Sequence, residues 1–222
     1  MVRFARVLSY AVIGLLAVAA RVQAQAAPVL DTSRFYAEFT GGANFGHTSS
    51  GTLGAEGGYR IKGPWQVFFE AGHMFTVGSS DLDARAQTIG NAVGATTSAS
   101  YKISYYDGGV RYNPQILFRN MFEPYLELGF GGATVTAQTT FAVNGTVVPP
   151  ESLGVQLGED LSGTVGKGFI MFGGGATYAF ATRYFADGSL RYGHVLARTS
   201  VIENDTGINT LRLQFGVGIR FK

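Results

Sequence analysis

Alternation of apolar and polar residues with a period of two, an even number of segments that carry it, and connections that are alternately short and long predict an all-β chain. The expected architecture is an eight-stranded antiparallel up-and-down barrel. The pattern is clearest in LRLQFGVGIRFK, where Leu211, Leu213, Phe215, Val217, Ile219 and Phe221 are apolar and Arg212, Gln214, Gly216, Gly218 and Arg220 fill the places between. A helix would need apolar residues at spacings of three and four. One face of this segment is therefore greasy and the other carries charge.

The first element is an export signal over residues 1–26. MVRFAR supplies a positive start, Val7 to Ala20 an apolar core, and Ala24 and Ala26 an Ala-x-Ala cleavage site. That core is shorter than the roughly 20 residues a spanning helix needs. Loss of Arg3, Arg6 and Arg21 takes the 17 basic residues to 14, against 15 acidic. A mature domain over 27–222 is thus close to neutral, which removes the electrostatic footing for nucleic-acid binding. The chain has no cysteine, so disulfide scaffolds and thiol catalysis are excluded. Its 32 glycines are dispersed among Phe, Tyr, Val and Leu, as in strongly curved strands.

The same template places strands near residues 35–46, 52–61, 65–76, 99–112, 123–136, 167–180, 184–196 and 208–221. These run to about 9 to 14 residues each, longer than in most soluble sheets and suited to crossing a membrane at a tilt. Connections are short at Lys62 to Pro64, around Asn113 to Met121, and at Ala181 to Arg183. They are long and polar at Val77 to Ser98, Ala137 to Gly166 and Ala197 to Gly207. Short turns at one end and long loops at the other are the pattern of a transmembrane barrel with periplasmic turns and extracellular loops.

Three segments repeat one motif: EGGYRI from Glu56, DGGVRY from Asp107 and DGSLRY from Asp187 each set an Arg four residues after an acid. On a strand the two share a face but lie about 13 Å apart, so each must find partners on adjacent strands. Projected over all strands, Glu38, Glu56, Arg60, Glu70, Asp107, Arg111, Glu127, Asp187, Arg191, Arg212 and Arg220 fall on one side, opposite the Phe, Leu, Val and Tyr set. Lipid-facing Arg or Lys at mid-bilayer costs about 2–4 kcal/mol, so this set is expected in the lumen. An eight-stranded barrel is only wide enough for side chains or one small ligand. The set therefore reads as a structural, salt-bridged plug.

Aromatic residues fit the same orientation. Phe35, Tyr59, Trp65, Tyr112, Phe118, Phe122, Phe180, Tyr184 and Phe221 fall near the short-turn end, and Phe45, Phe75 and Tyr101 near the long-loop end. Two such belts are expected at the membrane–water boundaries.

With these features the chain resembles the small Gram-negative outer-membrane β-barrel proteins, the family that includes the outer-membrane protein A barrel, over about residues 33–222. QFGVGIRF resembles that family's assembly signal through Gln214, Gly216, Ile219 and Phe221, with Lys222 following the aromatic. The resemblance implies an outer-membrane location, recognition by the barrel assembly machinery, and outer-membrane lipids and lipopolysaccharide as surroundings. No appended peptidoglycan-binding domain is expected.

Some barrels of this kind modify lipid A, one through a His-x-Ser pair, and His47-Thr48-Ser49 is formally similar. It lies in a Ser/Thr/Gly-rich first hairpin tip, where such residues serve the turn, whereas the deacylase pair lies on a late strand. His73 and His194 project to the lipid side near the long-loop rim on separate strands and cannot converge on a metal. Gly166-Lys167-Gly168 lacks the spacing of a phosphate loop. Asp81 with Asp83, and Glu203, Asn204 and Asp205, lack the glycine and terminal glutamate of a calcium loop. No cofactor is expected. The leading expectation is a non-enzymatic barrel with a structural role or with binding through its long loops, above all Ala137 to Gly166 with Pro149, Pro150, Glu151, Glu159 and Asp160, whose extracellular ligand is not written in the residues. The alternatives are a narrow or gated pore, a lipid A-modifying enzyme, and a soluble exported barrel of reversed sidedness.

Overall fold

In the computed structural model the first strand closes on the last: Phe35 pairs with Phe221, and the antiparallel ladder continues to Phe45 opposite Leu211. The described residues are 34–46, 48–114, 121–196 and 207–221. The export signal, His47, Phe118, the Glu203–Asp205 cluster and Lys222 lie outside them. The elements in order are β1 (Phe35–Phe45), β2 (Ser50–Lys62), β3 (Trp65–Val77), helix α1 (Ser80–Val93), β4 (Thr96–Tyr112), β5 (Phe122–Val143), β6 (Thr146–Val148), a 3-10 turn (Pro150–Leu153), helix α2 (Glu159–Ser162), β7 (Thr164–Ala179), β8 (Tyr184–Val195) and β9 (Ile208–Phe221). The order β4-β3-β2-β1-β9-β8-β7-β5 is closed by β4 pairing with β5, which makes an eight-stranded antiparallel barrel. Strand β6 is an extra that pairs only with the far end of β5.

The long connections are more structured than a polar loop. β5 runs 22 residues, to Val143, and β4 begins at Thr96, so the pair projects beyond the other strands. The segment read as a loop after Val77 contains α1, whose Leu82, Ala86 and Ile89 recur at helical spacing and pack with Ala99, Tyr101, Leu157 and Leu161. Gly94, at φ 69°, ends the helix in the left-handed conformation.

Sidedness changes along these two strands. In the lower part of β5 the inner residues are Glu123 and Glu127 and the outer ones are Leu126, Leu128 and Phe130, the last 76% exposed. Beyond Phe130 the sign inverts: Val135, Ala137 and Phe141 are buried, and Thr134, Gln138 and Thr140 are exposed. An apolar surrounding suits the lower pattern and water the upper one, and the two meet just beyond Phe130 on this wall.

Inside, the half nearer the long loops is apolar: Phe68, Met74, Val77, Ile103, Phe169, Met171, Val195 and Ile208 form one buried cluster. Tyr101 packs against it rather than joining an outer belt. Tyr36, Tyr105 and Tyr125 are likewise buried in the lumen, contrary to the expectation that Tyr follows Phe and Leu outward. Their hydroxyls reach carboxylates, and their rings lie over glycines. Tyr36 pairs with Gly58, Tyr105 with Gly72, Tyr125 with Gly175, and Phe185 with Gly218. A Cβ at Gly58 would lie 2.2 Å from the Tyr36 ring, and one at Gly72 would lie 2.4 Å from the Tyr105 hydroxyl. Much of the dispersed glycine is therefore the floor on which inward aromatic rings rest.

Candidate functional site in the lumen

Four strands in succession contribute an acid at the same level. Glu38 is opposite Glu56, Glu56 opposite Glu70, and Glu70 opposite Asp107. Like charges directly opposite destabilise a sheet, so this row needs cations from elsewhere. They come from the far wall, where Arg191 of β8 stands opposite Arg212 of β9, and from Arg111, four residues after Asp107 on the same inner face of β4.

Arg191 is at the centre, with 0% exposure. Its Nη2 lies 2.7 Å from Glu56 Oε2, its Nη1 2.9 Å from Glu70 Oε1 and its Nε 2.6 Å from Glu127 Oε1. Arg111 Nη2 lies 2.6 Å from Glu56 Oε1 and 2.8 Å from Glu127 Oε2. Arg212 Nη1 lies 3.3 Å from Glu70 Oε1. Tyrosines complete the shell: Tyr36 donates to Glu56 at 2.5 Å, Tyr105 to Glu70 at 2.8 Å, and Tyr125 to Asp187 at 2.9 and 3.0 Å. The Arg111 guanidinium sits 3.9 Å over the Tyr125 ring and that of Arg212 4.3 Å over the Tyr105 ring, so cation–π attraction adds to the ion pairs. Glu38 and Asp107 differ from their neighbours: neither carboxylate oxygen of either has a hydrogen-bond partner among the described residues.

A second cluster closes the short-turn end. Glu123 accepts from Arg60 and, at 3.0 Å, from Arg220, which also reaches Thr177 at 3.2 Å. Arg60 is 32% exposed at its side chain, so this pair lies at the mouth. Between the clusters is a cavity of about 20 Å³ bounded by Tyr36, Arg111, Glu123 and Arg220, room for about one water molecule.

The structure places all eleven charged residues expected in the lumen on the inner side, divided into a central network and, with Arg60 and Arg220, a mouth cluster. Partners are found across the lumen as well as on adjacent strands: Arg191 joins β8 to β2, β3 and β5. In none of the three repeated segments does the Arg pair with its own acid among the ion pairs above. Glu123 is absent from the expected set, although it shares the parity of Glu127, because it stands at the start of its strand where alternation is short. In the last strand Gln214 is buried and donates to Thr40 at 3.3 Å, Gly216 faces inward, and Ile219 and Phe221 are on the outer face. His73 bonds Ser104 at 2.9 Å and His194 bonds Asn209 at 2.7 Å, both on the outer surface. No three His, Asp or Glu among the described residues form a metal site.

The family model described as "Outer membrane protein beta-barrel domain" matches residues 10–221. Among solved structures, the chain is similar to Neisserial surface protein A, at 12% identity and a TM-score of 0.53 over 84% of this chain and 97% of that one. It is also similar to a major outer membrane protein of Thermus thermophilus, at 12% identity and a TM-score of 0.49 over 86% and 100%. A third, the N-terminal barrel domain of Pseudomonas aeruginosa OprF, has 13% identity and a TM-score of 0.45 over 86% and 100%. The Neisserial likeness, at that identity, is one of fold. A comparison with curated proteins returned no match.

Proposed function

The chain belongs to the outer membrane protein β-barrel domain family, and from that premise we propose that it is a non-enzymatic barrel whose lumen is a structural plug and whose working surface is its long-loop end. In this reading residues 1–26 direct export, the barrel assembly machinery receives the last strand, and the short turns face the periplasm. Outer-membrane lipids, lipopolysaccharide among them, surround the wall, and an extracellular ligand meets the loops.

The observation that carries the plug is the contact of Arg191 with Glu56, Glu70 and Glu127 at zero exposure. Breaking a buried ion pair from one side costs about 3–5 kcal/mol, and a solute path would have to break several. Above the network the lumen is filled by Met74, Ile103, Phe169 and Met171, all fully buried. The loop-end surface is supported by α1, β6 and α2, which give the connections a defined shape on which recognition can be built.

The test is single-channel recording in planar bilayers with protein whose gel migration shifts on boiling. Electrical silence over the applied voltage range is expected. A steady unitary conductance would replace the plug with a narrow pore. Mass spectrometry of lipid A from cells with and without the protein is expected to give the same species; a new species would make it an enzyme.

A further inference from the structure

Two pairs of arginines meet at the short-turn end of the wall. The Arg60 N–H donates to the Arg34 carbonyl at 2.8 Å and the Arg220 N–H to the Arg183 carbonyl at 2.7 Å, which sets Arg34 opposite Arg60 and Arg183 opposite Arg220. The β1–β9 ladder, with Tyr36 opposite Arg220, brings the two pairs side by side. Four adjacent strands, in the order β2-β1-β9-β8, thus carry an arginine at or just before this end. Lys62 follows Arg60 by two residues, and Arg34, Lys62 and Arg183 are exposed. Arg34 donates to the Tyr59 hydroxyl at 3.4 Å. Outside the central network, the described residues of this end set one carboxylate against these five cations: Glu123, held by Arg60 and Arg220. The adjoining sequence adds Asp31, Arg119 and Lys222, which lie outside the described residues and leave the excess positive. Beside Arg220 is the cavity of about 20 Å³, whose lining includes Gln66, Asn113 and Thr177.

We propose that this end of the barrel binds an acidic peptide, an extended chain whose free carboxylates lie across the mouth. The inference goes beyond the loop-end reading and holds whether or not the lumen conducts. Like charges set opposite one another destabilise a sheet, and the single carboxylate of Glu123 offsets only part of this row. A bound polyanion supplies the rest. Three steps between neighbouring strands span roughly 14 Å, which four or five extended residues at about 3.3 Å each cover. Guanidinium forks take carboxylates through paired hydrogen bonds. Arg60 and Arg220 turn inward onto Glu123, away from the lipid outside the wall, so they meet a chain crossing the mouth and not a head group beside it. Gln66, Asn113 and Thr177 add neutral acceptors for peptide N–H groups, a use that a phosphate polymer, which has no such donors, cannot make of them.

The test measures, by fluorescence anisotropy, binding of labelled hexaglutamate and hexaglutamine to the full barrel in phosphatidylcholine nanodiscs. At low salt the wild-type protein is expected to prefer hexaglutamate about tenfold, the sum of a few exposed charge pairs, and to lose that preference as salt rises. Arg34→Gln/Arg183→Gln, which leaves both Glu123 pairs in place, is expected to reduce it to within about threefold. Lys102→Gln, at the opposite end, is expected to keep it. Equal binding of the two peptides by wild-type protein overturns the proposal without recourse to any variant. So does an arginine variant that retains both the heat-dependent gel shift and the full preference, or a loss of preference in Lys102→Gln, which would move the site to the loop end. Tighter binding of a polyphosphate of equal charge than of hexaglutamate overturns the assignment to a peptide.

Discussion

Glu38 and Glu56 lie directly opposite each other on β1 and β2, and of the two it is Glu56 that holds the cations. Glu56 holds Arg111 and Arg191 at 2.6 and 2.7 Å, whereas Glu38 has no hydrogen-bond partner among the described residues. Substitution should separate them by size. Glu56→Gln leaves two buried guanidinium groups short of charge and is expected to lower stability by about 3–5 kcal/mol. Glu38→Gln breaks none of these ion pairs and is expected to change stability by no more than about 1 kcal/mol. Urea unfolding in lipid vesicles measures both; equal losses for the pair would contradict this account of the acid row.

The aromatic–glycine pairs make a second expectation. Gly72→Ala would press a methyl against the Tyr105 hydroxyl and should cost about 1–3 kcal/mol. Tyr105→Leu alone loses the hydrogen bond to Glu70 and the ring beneath Arg212. If steric conflict is the cause, the double variant is less damaged than the two single losses added together. Strict additivity in a thermal-unfolding series would show that Gly72 matters for another reason.

Sidedness can be tested on one strand. Leu128→Arg, in the middle of the apolar band of β5, is expected to destabilise the inserted barrel by about 2–4 kcal/mol, and Thr140→Arg, well above it, by about 0–1 kcal/mol. Equal costs would move the membrane boundary away from the inversion at Phe130.

Helix α1 should fail separately from the barrel. Leu82 is 2% exposed, and Leu82→Asp buries an unpaired charge against Ala86, Ala99 and Leu161. Proteolysis within residues 80–93 is expected to accelerate by at least about tenfold, the equivalent of roughly 1.4 kcal/mol of local opening. The boiling-dependent gel shift should persist. Its loss would mean that the helix and the barrel unfold as one unit.

The barrel is legible in the sequence because lipid on one side and a charged lumen on the other give alternation its contrast, as in Arg212 to Phe221. The contrast fades where the environment changes. From Thr134 onward the outer residues are polar and the inner ones, Val135 and Phe141 among them, are apolar, so a template seeking greasy outside and polar inside ends β5 seven residues early, at 136 rather than Val143. Helix α1 escapes the same template because its apolar stripe, Leu82, Ala86 and Ile89, is thin and lies within a polar composition. The inward parity of the charged set follows from the pattern, but its pairing does not. Which acid meets Arg191 depends on tilt and on the curvature of the closed wall, and neither is written in a period of two. Tyr36, Tyr105 and Tyr125 defy the outward expectation because composition ranks Tyr with lipid-facing aromatics, while their hydroxyls and the glycines opposite them suit the interior.

The acid row occupies β1 to β4, and two of its three neutralising guanidiniums sit on β8 and β9. A nascent chain that has laid down only its first four strands therefore carries uncompensated negative charge on what will become its inner surface. Arrival of the final hairpin joins the seam and discharges that repulsion in the same event. The closing hairpin thus supplies both the seam's backbone ladder and two of the row's cations.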